Sequence, residues 1–391
     1  MDYATHYDVG DRKRDDGINE DSVAVSVFEQ GHREGFLGHH RADAEADRGT
    51  TTEGERNTET EQGVEGERNT ETEGATDGAD SSVDRPDNRS AAVFALADGA
   101  GGHDAGDVAS YLATTAVCEH LAGTAVAAAR SDPGGFDVAV DDPLPATPRA
   151  DDLEAAVAEA VVAAHREVLA YAAESGQQAH TTVVAGVVVG GSLHYGWVGD
   201  SRAYLVNAAR EAIVPLTTDH AVVQRLRDAD KIDDVEALVH PRGNEITRAV
   251  GGSGSQDPET ATVNVETATV PLYREDVVLV TSDGLLDAQT EAPTLYEWYV
   301  DAGRDEEMAA VVRDRAVTDD EIRDRILSAS SLDAAAVDLV DMANERGGKD
   351  NLSTLLLHDG TLPETPEDPP PRAAGAEPAL EDRQTVLGDG N

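Results

Sequence analysis

Four short stretches each place a carboxylate at the tip of an apolar run, beside glycine or asparagine. They are Asn19-Glu20-Asp21 opening DSVAVSVF, Asp98-Gly99 closing SAAVFALAD, Asp283-Gly284 closing VVLVTSD, and Asp350-Asn351 opening NLSTLLL. In a chain with 78 acidic residues a single aspartate is most often solvated surface, so position has to distinguish these. Strand ends are rigid and can converge at one edge of stacked sheets. Converging carboxylates repel one another unless a multivalent cation neutralises them. An oxygen-only donor set, without His or Cys, suits Mg2+ or Mn2+ better than zinc. The alternative at this point is four independent turn-forming aspartates.

The elements that must position these residues alternate along the chain. Strands are expected over 21–28 and 90–98, and over 181–189 and 192–199. The last two are joined by a Gly-Gly pair that suits the primed turns of hairpins. RAYLVN, EAIVPL, TATVNVETATV, EDVVLVTSD and NLSTLLLHD continue the strand series. Helical periodicity marks GDVASYLATTAVCEHLA, DLEAAVAEAVVAAHREVLAYAAES and DAAAVDLVDMANER. Strands joined by short turns, with long helices gathered in a few blocks, predict an α+β fold. We expect an α-β-β-α sandwich of two stacked, mainly antiparallel sheets flanked by helices.

Two stretches stand outside this pattern. Residues 31–89 are rich in Gly, Glu, Thr, Asp and Arg and contain GERNTETE twice, at 54–61 and 66–73. Two copies without apolar positions cannot build a core, so 31–89 is expected to be a disordered acidic insertion. The Pro-rich acidic tail 360–391 is expected to behave likewise, which leaves 1–30 and 90–359 as the folded domain. The segment 129–152 is expected to be a long loop.

The formal net charge is −48, and only Lys13, Lys231 and Lys349 are lysines. Such acidity excludes nucleic acid and anionic membranes as partners, because phosphate contacts need Lys and Arg. Acid excess with scarce lysine points to work in concentrated salt, where the Debye length falls to about 3 Å at 1 M and carboxylate self-repulsion is screened. Cys118 is the only cysteine, which excludes an intrachain disulfide and a cysteine metal cage. No basic-then-apolar leader opens the chain and no apolar run reaches membrane length, so a soluble, cytoplasmic monomer is expected.

Taken in order, INEDS (18–22), ADGAGGHDAGDVAS (97–110), TTVVAGVVV (181–189), GWVGDSRAYLV (196–206), LTTDH (216–220), NEITRAVGG (244–252), TSDGLLD (281–287) and GGKDNLSTLLL (347–357) resemble the type 2C metal-dependent protein phosphatases in their bacterial single-domain form. The resemblance covers most of 1–358 apart from the insertion. It implies hydrolysis of phosphoserine and phosphothreonine in protein substrates, by a water or hydroxide bridging two Mn2+ or Mg2+ ions, with a weaker third ion. It implies that Asp98 bridges the two ions, that the Gly99 carbonyl ligates one, and that Asp283 and Asp350 hold the first. Glu20 and Asp21 would hold the second, largely through water, and Asp287 would help bind the third.

The departures concern the phosphate contact. The family's arginine position, three residues before the Asn of Asn-Glu-Asp, is Asp16 here. A two-residue insertion eased by Gly17 would put Arg14 in that role, with Arg12 as the runner-up; an Arg fork suits phosphate by donating paired hydrogen bonds. Ala100 follows Asp98-Gly99 and has no proton to give, and His103 is read as structural or as supporting the metal ligands from behind rather than as a general acid. Asp200 and Ser201 are expected to organise a turn between strands rather than bind metal directly, and His220 to cap or pack the following helix, AVVQRLRDA. Residues 221–252 match the family's flap beside the site, and 290–316 is either a docking surface or extra helices. The rival readings are a catalytically weak relative that binds phosphoproteins, a phosphatase of small phosphoesters, and an acidic cation-binding structural protein.

Overall fold

In the computed structural model the described residues are 1–13, 17–29, 32–41, 90–100, 105–129 and 149–372. Thirteen strands among them form two sheets. The first runs β1 (Asp2–Asp8), β13 (Leu352–His358), β12 (Asp276–Thr281), β8 (Arg202–Asn207), β9 (Ala212–Pro215), with every neighbouring pair antiparallel. The second runs β10 (Val250–Gly252), β5 (Ala179–Thr181), β4 (Ala91–Ala100), β6 (Val183–Val189), β7 (Ser192–Val198), β11 (Glu266–Pro271). β2 (Ile18–Glu29) joins it on β4, and β3 (His32–Arg41) pairs with β2. The Gly190-Gly191 turn links β6 and β7 as a hairpin.

Helices α1 (Gly106–Ala128) and α2 (Ala150–Ser175) cover the outer face of the second sheet. α7 (Asp319–Ser328) and α8 (Leu332–Glu345) cover the outer face of the first. Short α3 (Val222–Asp228) and α4 (Asp234–Val239), then α5 (Ala292–Asp301) and α6 (Glu306–Arg315), lie in the connections. The expected α-β-β-α sandwich is what forms.

Strand alternation divides the core into layers. In β4, Ala91, Val93, Ala95 and Ala97 face α1 and α2, while Ala92, Phe94 and Leu96 face the other sheet. The inter-sheet layer also takes Val23, Val25 and Val27 of β2, Val278 and Val280 of β12, and Leu355 and Leu357 of β13. Small residues dominate the helix-facing side of β4, which lets α1, itself carrying Ala109, Ala113 and Ala116, lie close. Cys118 is buried in that layer.

Two boundaries differ from the expectation. Pairing continues past Gly31, because β3 extends to Arg41 and runs antiparallel along β2. The tail also stays on the domain beyond Gly360. Leu362 is buried in the inter-sheet core, and the Arg372 guanidinium bonds the Asp276 carboxylate. Composition hid this because the tail has no core of its own and borrows one. Residues 42–89 and 373–391 lie outside the described residues, as does most of the expected loop 129–152.

Candidate active site

Successive side chains of a strand point to opposite faces. Extending the inward series of the inter-sheet layer to one end therefore names what lines that end. β2 leads from Val25 and Val23 to Asp21; β4 leads from Phe94 and Leu96 to Asp98. The neighbouring strands reach Thr182, Ser201, Ser282 and Ser353 in the same way. Apolar filling thus gives way to hydroxyls and then to carboxylates within one layer. Asp21 and Asp98 are direct partners in the β2–β4 ladder, a placement that destabilises like charges.

The hydroxyls form a floor. Ser282 Oγ donates to Asp21 Oδ2 (2.8 Å) and accepts from Ser353 N (3.0 Å). The Thr182 hydroxyl accepts from Asp98 N (3.0 Å) and bonds Ser201 Oγ (2.6 Å). The Asp98 carbonyl accepts from Thr182 N and from Thr181 Oγ1, each at 2.8 Å, so the strand tip is fixed on both sides. Asn351 closes the other edge: its Nδ2 donates to Val9 O (3.1 Å) and Ile18 O (3.2 Å), and its Oδ1 accepts from Glu20 N (3.0 Å). Asn351 therefore ties β1, β2 and β13 together, which leaves its neighbour Asp350 directed at the cluster.

Gly99 is required by crowding. A Cβ there would lie 2.4 Å from the Gly106 carbonyl group at the start of α1 and 2.8 Å from Glu20 O. At Gly106 a Cβ would meet Glu20 Oε1 at 2.7 Å, which sets the Glu20 carboxylate against the N-terminal end of α1.

The electrostatics show what has been gathered. Burial pushes the Asp98 carboxyl well above its usual value, and the charges of Asp21, Asp283, Asp350 and Asp200 add to this. Asp283 is pushed well up by burial, then by Asp200, Asp350 and Asp287. Asp21 is raised to about 6, mainly by burial, with the Ser282 hydrogen bond working against it. Asp200 is raised to about 7 by burial and by Asp219. Glu20, Asp21, Asp98, Asp283, Asp287 and Asp350 thus lie at one end of the sandwich. Asp200, read from sequence as a turn former, belongs with them. Its signal was present, since Asp200 too sits at a strand start beside glycine.

A second residue was missed. The Lys13 ammonium contacts Asp350 Oδ1, and burial, which works against its charge, is outweighed by Asp350, Asp98 and Glu20. Lys13 arrives there because Gly10 turns at φ +78°, where a Cβ would be 2.1 Å from Asp350 O. The segment is pinned by Arg12 N to Gly348 O (3.0 Å) and Asp11 N to Asn344 Oδ1 (3.1 Å). Lys349 reaches Asp287 Oδ2 at 3.4 Å. Two of the three lysines in the chain are therefore at the acid cluster. Arg12 is exposed, and Arg14 and His103 lie outside the described residues.

His220 does not cap the following helix α3, whose start has no side-chain cap; it stacks instead on Trp197 (centroids 6.1 Å apart, 11° between planes), and its Nδ1 accepts from Gly199 N at 3.0 Å. The Nε2–H then faces Glu266 Oε1 at 2.9 Å.

The residues fit a divalent cation. Asp21 Oδ1 and Asp283 Oδ1 are buried acceptors without a hydrogen-bond partner, a state that is costly unless a cation takes the lone pairs. The donor set is hard oxygen throughout. Among the described residues no three His, Cys, Asp or Glu side chains already close around one point.

The family model described as Protein phosphatase 2C matches residues 80–314. The chain is 28% identical over 268 residues to the serine/threonine phosphatase stp of Listeria innocua, an alignment covering 68% of this chain and 83% of that protein. Its fold is that of the Staphylococcus aureus serine/threonine phosphatase Stp1, with TM-score 0.56 and 20% identity over 92% of this chain and 95% of that one. The Mycobacterium tuberculosis serine/threonine phosphatase PstP/Ppp gives TM-score 0.52 and 23% identity over 93% and 99%. With a family match over more than half of its length, the chain belongs to the protein phosphatase 2C family of serine/threonine protein phosphatases.

Proposed function

We propose that the carboxylate cluster at the end of the inter-sheet layer holds two Mn2+ or Mg2+ ions, with room for a weaker third, and hydrolyses phosphoserine and phosphothreonine in proteins. The observation that carries this reading is the facing pair Asp21 and Asp98 with the buried, unpartnered oxygens of Asp21 and Asp283. Asp98 would be the shared ligand, seconded by the Gly99 carbonyl. Asp283 and Asp350 would serve the first ion, Glu20 and Asp21 the second, and Asp287 the third. Asp200, beside Asp98 and Asp283, joins this set. When bound, the ions supply charge neutralisation at the phosphoryl oxygens and acidify water at neutral pH.

The chain's own groups do the rest. The Ser282 hydroxyl, itself held by Ser353 N, fixes the Asp21 carboxylate, and Thr182 with Ser201 fixes the Asp98 backbone, so little reorganisation is needed when charge develops. The substrate phosphate is assigned to Arg14 by resemblance, with Arg12 as the runner-up, and to Lys13 by its position over Asp350. In so acidic a protein these cations and the bound ions offset repulsion of a phosphorylated substrate. We infer operation in concentrated salt from the same charge. Among the described residues no helix is long and apolar enough to cross a membrane.

The test is phosphate release from a phosphothreonine peptide in molar KCl, with and without Mn2+, for the wild type and Asp98→Asn. Turnover that requires Mn2+ and falls by about a thousandfold or more in the variant is expected. Absence of turnover in folded, metal-loaded wild type on several phosphopeptides would overturn the reading.

A further inference from the structure

The segment from Thr290 to Ala316 builds α5 and α6, whose buried apolar residues lie outside the clusters of the two main helical layers, while Arg346 at the end of α8 donates to Asp314 O (2.9 Å) and Ala316 O (2.8 Å). With α4 these two helices form a separate apolar cluster of Val235 and Val239, Leu295 and Tyr299, and Ala309 and Val312. α3 and α4 have seven and six residues, and α3 buries none of its own. Helices this short are not held by backbone hydrogen bonds alone, so their position depends on what packs against them.

The polar contacts are specific to the N-terminal end of α4. Asp233 Oδ1 caps it, accepting from Val235 N (2.9 Å) and Glu236 N (2.8 Å), while Glu236 Oε2 accepts from Asp233 N (3.1 Å). The remaining oxygen of each carboxylate is taken by the 290–316 segment. Tyr299 Oη donates to Asp233 Oδ2 at 3.0 Å, and Arg304 Nη2 donates to Glu236 Oε1 at 2.8 Å. Arg304 adopts φ +59°, a left-handed conformation that is unfavourable for a side-chain-bearing residue, in the turn that carries it across to Glu236. At the other end of α4, His240 meets the Tyr296 ring edge-on, with centroids 5.2 Å apart.

From His240 the chain turns back through Gly243, where a Cβ would stand 3.4 Å from Asp287 Oδ2. The base of this excursion is closed by the Ala221–Ile246 bridge and by Val222 N to Glu245 O at 2.8 Å. The excursion is therefore fixed at two places: its base on the domain, and α4 on α5 and α6.

We propose that α5 and α6 are a brace that sets the 240–244 turn against Asp287, with Tyr299 and Arg304 as the positioning residues, and that this setting governs how a phosphoprotein reaches the cluster. The kinetic consequence rests on the phosphatase reading; the structural one does not. The test compares Tyr299→Phe, Arg304→Gln and Arg304→Lys with the wild type in the full-length, Mn2+-loaded protein. Hydrogen exchange at amides 234–244 is expected to rise about fivefold to tenfold in Tyr299→Phe and Arg304→Gln, with β6 unchanged and Arg304→Lys intermediate. KM for a phosphothreonine peptide is expected to rise severalfold while kcat stays within about twofold, and p-nitrophenyl phosphate kinetics stay unchanged. Unchanged exchange in both variants would overturn the brace, and so would faster exchange with an unchanged peptide KM. If the wild type hydrolyses neither substrate, the phosphatase reading fails and the exchange arm alone decides the brace.

Discussion

β12 has a carboxylate at each end, Asp276 fully buried and Asp283 half-buried with one oxygen enclosed, and the two ends are treated in opposite ways. At its start, Asp276 accepts from Tyr273 N (2.7 Å) and Asn207 Nδ2 (2.7 Å) and pairs with Arg372, whose side chain is itself 7% exposed. Just past its other end, Asp283 keeps a buried oxygen with no partner and faces Asp98, Asp200 and Asp350. The first end shows how a fold buries a charge for structure: both oxygens have donors and a cation of its own chain sits on it. At the second, one oxygen has no partner within the chain and the neighbouring charges are of the same sign, which is what the proposed cation site requires. The same distinction separates the cluster from α4, where Asp233 and Glu236 are both fully engaged by Tyr299 and Arg304.

If this contrast is right, substitutions at the two ends should move stability in opposite directions. Arg372→Ala leaves the Asp276 charge buried with only neutral donors and should cost about 2–4 kcal/mol in denaturant unfolding. Asp283→Asn in EDTA at pH 8 should instead raise stability, by about 1 kcal/mol, because it removes one charge from a repelling set. A loss on both substitutions would show that Asp283 is as structurally satisfied as Asp276.

A smaller effect lies in pH. Carboxyls raised on folding, such as Asp21 to about 6 and Asp200 to about 7, bind protons more readily in the folded chain than in the unfolded one. Their contribution to stability is therefore present at low pH and is lost as pH rises through those values. His165, His194 and His220 act in the opposite sense. Burial lowers all three, so they withdraw stability as pH falls below the ordinary histidine value near 6.5. Because Mn2+ replaces protons only at the cluster, the Tm increase it causes should grow from pH 5 to pH 8. Thermal melts with EDTA and with Mn2+ across that range check this; a Tm increase independent of pH would place Mn2+ binding elsewhere.

The cluster was legible in sequence because strand ends are marked by apolar alternation followed by a charge, and Asp21, Asp98, Asp283 and Asp350 all carry that mark. Asp200 carried it too, but the Gly-Asp-Ser-Arg run also satisfies turn chemistry, and the two readings are separated only by where β8 starts. Lys13 could not be placed, since its reach to Asp350 depends on the Gly10 turn and on partners more than 300 residues away in the chain. The sandwich followed from hairpins and helix blocks. The brace did not, because the periodicity of 292–301 shows an apolar face without saying that α4 covers it. The strap through Arg372 was hidden for a similar reason: its Pro-rich composition describes what it cannot do alone, and Asp276 supplies the rest.

The central claim, that the strand-end carboxylates form one cation site, is tested most directly by calorimetric titration of Mn2+ into wild type and Asp98→Asn in molar KCl. The account predicts two saturable ions in the wild type, with a third weaker, and loss of the tight pair in the variant. Many weak, equivalent sites unaffected by Asp98→Asn would contradict it.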